Sequence, residues 1–168
     1  MKRLLITIMI ICVLIPTIFY GVAIYKSMQF NINCYGYLEL AADANSIKIA
    51  EKHLTTGIKY LEENNLTDGS TGIIFHKPTN DIGLWYENLK SAQTQLQELS
   101  VQENLTELEE SNTLMKLRET LMNADGQITT PDNIPYYPNH AFWFWILTLI
   151  WILYVPAIVC GCIAFVEY

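Results

Sequence analysis

The chain lacks the signatures by which enzymes most often declare themselves in sequence. Its 168 residues contain no Gly-rich phosphate loop, no dinucleotide fingerprint, no nucleophile elbow and no CxxC pair. Three histidines, His53, His76 and His140, stand far apart with no HxxxH or HxxE spacing. A structural metal site needs several ligands at tight spacing, so no metal, cofactor or catalytic residue is assigned. Cysteine is equally sparse. Cys12, Cys160 and Cys162 lie in apolar ends of the chain, which leaves Cys34 alone between them and rules out an internal disulfide framework there. Charge is scarce as well, at 16% of residues, against the usual quarter. The net charge of −7 offers no basic patch, which argues against nucleic acid as a partner.

What is present is apolar and unevenly distributed. Hydrophobic residues make up 51% of the chain, and residues 4–25 and 141–166 form uncharged runs of 22 and 26 residues. At about 1.5 Å of helical rise per residue, each run is long enough for a hydrocarbon core of about 30 Å. In lipid the backbone must satisfy its own polar groups, so both runs are expected to be transmembrane helices. Lys2 and Arg3 precede the first run. By the positive-inside tendency they place residues 1–3 and the tail at 167–168 in the cytoplasm, and the protein in a bacterial inner membrane with the lipid bilayer around it. A signal peptide competes for the first run, with Gly21 and Ala23 as small residues before a cut. The run exceeds an h-region of about 7–15 residues, however, which favours an uncleaved anchor. Tyr136, Tyr137, Trp143 and Trp145 form an aromatic band at the start of the second run and are expected as membrane-interface anchors.

Between the runs, residues 26–140 hold 8 basic and 16 acidic residues and read as a water-soluble, extracytoplasmic helical domain. Leu40, Ile47, Leu54 and Leu61 recur every seven residues, which predicts an amphipathic helix over about 35–65 with a coiled-coil-like seam. Gly36 and the Asn31, Asn33 pair are its weak points. Residues 66–80 carry the turn signals Asp68-Gly69, Gly72 and Pro78. A second helix is expected over 81–124, capped by Asn80 or Asp81. Its apolar stripe slips phase after Leu99, and Ser100-Val-Gln-Glu103 matches a capping box. A break near Ser100 and a continuous helix with a stutter therefore both remain open. Residues 125–140, with Pro131, Pro135 and Pro138, form an irregular link. The fold class that follows is all-α: two transmembrane helices flanking an antiparallel helical hairpin or small bundle.

The remaining candidates are interaction residues. Residues 123–128 imitate the middle of a calcium loop, but Leu121 stands where the first acid should be and prolines replace the exiting helix. Glu103, Glu107, Glu109 and Glu110 read as a solvated face. Phe75, Ile82, Trp85 and Tyr86 form the best candidate for an exposed recognition patch, since aromatic residues anchor interfaces efficiently. Two spans around a helical domain is a topology shared with bacterial sensory receptors, an analogy of fold that carries no function. The expected role is a non-enzymatic, membrane-anchored protein mediating protein–protein contacts, as an accessory subunit or assembly factor. Its expected partner is a membrane protein or a second copy. The alternative is a sensor that binds a ligand between its helices, near Asn45, His53 and Gln93, and signals through its spans.

Overall fold

The computed structural model describes the backbone of residues 2–102 and 105–166, and side-chain environments between residues 14 and 154. Six α-helices follow one another: α1 (Lys2–Phe30), α2 (Gly36–Ala42), α3 (Ile47–Glu63), α4 (Ile82–Ser100), α5 (Glu107–Leu121) and α6 (His140–Val166). Among the described residues there is no β-strand, only isolated bridges at Ser70–Asp81 and Met122–Ile128. The chain is all-helical.

The expectation of two transmembrane spans is overturned. Among the described residues, no helix is long and apolar enough to cross a membrane. In α1 the described side chains run from Leu14 to Phe30 and include Lys26, Ser27 and Gln29. Those three polar side chains interrupt the apolar run before the helix ends at Phe30. Residues 4–13, 153 and 155–166 of the expected spans lie outside the described side chains. The two-pass topology and the integral inner-membrane location with cytoplasmic termini fall with the spans.

α3 is the centre of the bundle. Its stripe Ile47, Ala50, Leu54, Gly57, Ile58 and Leu61 is buried, and α2, α4 and α5 all pack on it. The approach from α1 to α2 runs through a π-helical turn, Asn31–Tyr35, in which the Gly36 N–H donates to the Asn31 carbonyl. The turn serves packing. Phe30, Cys34, Leu38 and Ala42 are all buried at strict four-residue spacing, and in a regular helix each such step overshoots one face by about 40°. A wider π turn takes up part of that drift. Gly57 of α3 faces this surface, where a Cβ would stand 3.2 Å from Leu38 Cδ2, so glycine permits the close approach.

The two long helices expected over 35–65 and 81–124 are each two helices. Asp43, Ala44, Asn45 and Ser46 interrupt the first, and Leu40 is left exposed because the break changes the phase of the seam. The N-terminus of α3 is capped from a distance: the Ile47 N–H donates to Glu110 Oε1 at 3.0 Å. A carboxylate at that position satisfies a free donor and complements the helix dipole. The second helix stops at Ser100, whose hydroxyl donates to the Gln97 carbonyl. The capping box lies six residues later. Thr106 Oγ1 accepts from the Glu109 N–H, and Glu109 Oε2 accepts from the Thr106 N–H. Asp81 caps α4 by accepting from the Leu84 N–H at 2.9 Å.

Thr106→Ala should therefore cost about 1 kcal/mol of unfolding free energy in a denaturant titration, the ordinary worth of a lost cap. Ser100→Ala should change it by much less. Equal effects would mean that α5 does not begin where the structure places it.

Candidate functional site

The connection from α3 to α4 is pinned at its base. The Leu66 N–H donates to the Leu61 carbonyl, the Thr71 N–H to the Asn80 carbonyl, and the Ile82 N–H to the Gly69 carbonyl, all between 2.8 and 2.9 Å. Leu66, Thr71 and Asn80 are buried. Gly69 has φ +100°, and a Cβ there would run into the Tyr137 hydroxyl, so the Pro-rich link packs directly over this turn. Above the base the chain turns tightly: a Cβ on Gly72 would come 2.7 Å from the Phe75 carbonyl. At the tip, Ile74 is 65% and Phe75 75% exposed, with His76 and Lys77 exposed beside them.

The four residues of the expected recognition patch separate. Phe75 stands at the tip. Ile82 is wholly buried beneath it in the core, at 0% exposure. Trp85 and Tyr86 pack against the core half-buried. The Trp85 indole N–H donates to the Thr129 carbonyl at 2.8 Å and so ties α4 to the link. The Tyr86 hydroxyl donates to Glu62 Oε1 at 2.7 Å, and Lys90 approaches the same oxygen at 3.5 Å. The tyrosine bond, with Lys90 behind it, holds the Glu62 carboxyl below the usual carboxylate range. Burial and that same bond push the Tyr86 hydroxyl up to about 12.

The aromatic band at the start of α6 packs largely on the chain itself. Trp143 is buried, in edge contact with Phe19 and tilted against Tyr136 at centroid distances of 6.1 and 6.0 Å. Tyr136 OH reaches the Ala23 carbonyl at 3.5 Å, and Tyr137 stacks on His140. Trp145 alone of the four is exposed. The band is a collar joining α6 to α1.

The polar residues expected to line a ligand pocket are not brought together. Gln93 is buried and donates to Thr55 Oγ1, His53 lies tilted against Tyr37, and Asn45 is exposed. Residues 123–128 form a tight turn in which Asn123 Oδ1 accepts from the N–H groups of Asp125 and Gln127. Among the described residues, no group of three His, Cys, Asp or Glu side chains is placed to hold a metal ion. Cys34 is buried, and burial pushes its thiol up to about 12.

Compared with protein-family models, with curated proteins and with solved structures, the chain matches none.

Two recesses escaped the sequence reading. One, of about 400 Å³, lies where α1 meets α6 and is lined in part by Tyr20, Ser27, Asn31 and Tyr136. The other, of about 190 Å³, separates α4 from α5. Its polar residues repeat at i, i+3 and i+7 on both helices, a signal that periodicity alone could have supplied.

The Glu62–Tyr86 bond makes a titration prediction. Because the folded-state pKa of Glu62 is lowered, its contribution is present above the unfolded pKa and is lost as pH falls through the lowered folded value. Tyr86→Phe should move the Glu62 titration upward, measured by carboxyl carbon shifts in nuclear magnetic resonance, and should flatten that part of the acid-side stability profile. An unmoved Glu62 titration would show that the bond is not formed in solution.

Proposed function

We propose that this chain is an interaction protein rather than an enzyme: a small helical bundle that presents a clamped apolar loop tip to a protein partner, as an accessory or assembly subunit. The observation that carries this reading is the exposure of Ile74 and Phe75 on a loop whose base is fixed by three backbone hydrogen bonds. Scattered exposed apolar residues are ordinary. Two adjacent large ones on a pinned turn are a preformed knob, which enters a partner's pocket with little ordering cost. Aromatic side chains of this kind are frequent binding anchors. Flanking His76 and Lys77 supply a polar rim, and the acidic bundle behind the tip disfavours unrelated acidic proteins by charge repulsion.

A ligand-binding module is the second reading. It is favoured by the 400 Å³ recess at the α1–α6 junction, where hydroxyl and amide groups of Tyr20, Ser27, Asn31 and Tyr136 meet apolar Ala23, Ile24 and Leu147. The two readings differ in what moves: a partner is lost by changing the tip, whereas a ligand raises the melting temperature of the isolated chain.

The test is an in-cell photocrosslinking experiment with a reactive amino acid at position 75, repeated on an Ile74→Asp, Phe75→Asp double variant with the same reactive group at the neighbouring position 76. A stoichiometric protein adduct from position 75, and from position 76 of the otherwise unchanged chain, with the position-76 adduct lost in the double variant and helical circular dichroism unchanged, is the expected result. An adduct that persists at 76 despite both aspartates would remove the tip from the interface.

A further inference from the structure

The recess between α4 and α5 is chemically unlike the rest of the bundle surface. α4 lines it with Asn88, Ser91 and Gln95, and α5 with Thr113, Lys116 and Thr120. Its floor is apolar, formed with Leu96 and Leu117, both buried. Neighbouring helices normally bury apolar rows against each other. Here the facing rows are amides and hydroxyls, and α5 makes its closer contact with α2.

Charge is sorted around this recess. α4 and α5 together carry Glu87, Glu98, Glu107, Glu109, Glu110 and Glu119, yet none of these acids lines it. Of the cations on the two helices, Lys90 approaches Glu62 and Arg118 approaches Asp43. The third, Lys116, turns into the recess and donates to Gln95 Oε1 at 3.4 Å, a long bond to a neutral amide. In a chain of net charge −7, an acid-free recess with a cation held only by an amide attracts negative charge.

The hydroxyls have fixed roles. Thr113 donates to the Glu109 carbonyl and Thr120 to the Lys116 carbonyl. Both hydroxyl hydrogens are thereby occupied, leaving oxygen lone pairs to accept. Gln95 uses its carbonyl oxygen on Lys116, so its amide hydrogens remain to donate.

We infer that the α4–α5 recess is a binding site for a small hydroxylated monocarboxylate with a short branched tail. Lys116 and the Gln95 amide take the carboxylate, a threonine oxygen accepts from the ligand hydroxyl, and the tail lies over Leu96 and Leu117. The volume of about 190 Å³ suits a molecule the size of an amino acid and is too small for a nucleotide.

The test is calorimetric titration of the full chain with 2-hydroxy-4-methylpentanoate, with 4-methylpentan-1-ol as the uncharged comparison. Saturable binding of the acid, absent for the alcohol, is expected. Lys116→Gln should weaken it about tenfold or more, the usual worth of a charge-assisted hydrogen bond, and Lys116→Arg should retain most of it. Lys116 is exposed, so both variants should fold, which circular dichroism checks. No saturable binding of the acid, equal binding of the alcohol, or undiminished binding by the Lys116→Gln variant would overturn the assignment.

Discussion

One buried stripe organises the bundle. Ala50, Leu54, Gly57, Ile58 and Leu61 of α3 are buried, and α2, α4 and α5 all pack on that helix. α2 reaches the stripe because Gly57 has no side chain there and because the π turn keeps Cys34 and Leu38 on the facing side. α4 contributes Ile82, Leu89 and Leu96, and α5 contributes Leu117 and Leu121. Apolar area removed from water supplies most of the favourable free energy in such a unit, so the geometry of α3 decides where everything else can stand.

Polar contacts then set the angles that burial leaves free. Glu110 reaches from α5 to cap α3, Arg118 reaches from α5 to Asp43 at the α2–α3 corner, and Glu62 collects Tyr86 and Lys90 across the α3–α4 seam. Each is partly exposed and modest alone. Glu110 and Arg118, near the two ends of α5, tie that helix to the start of α3 and the end of α2, and the acid-free recess opens on its α4 side.

Much of this architecture was legible in the sequence, and its failures have physical reasons. The helical content, the turn at Asp68-Gly69 and the irregular link around Pro131 and Pro135 follow from periodicity and turn chemistry alone. A break near Ser100 was one of two open alternatives, but the expected weak points of the first helix, Gly36 and the Asn31, Asn33 pair, stay helical through the π turn, and the interruption falls instead at residues 43–46. A cap supplied by Glu110, 63 residues away from Ile47, leaves no local trace. The apolar ends showed the limit of reading length and hydropathy alone. The residues of the expected patch came apart for a related reason: Ile82 and Trp85 share a helical stripe with core residues, and a stripe says which side chains are apolar without saying which remain uncovered. Only Phe75, off the helix and on the loop, kept its exposure.

The π turn has a mechanical consequence. Because α1 passes into α2 with no non-helical residue between Phe30 and Gly36, the two helices form a single rod rather than two rods on a hinge. Leu38 and the Cys34 carbonyl lie against Gly57 of α3, so α1 cannot turn about its own axis without disturbing that contact.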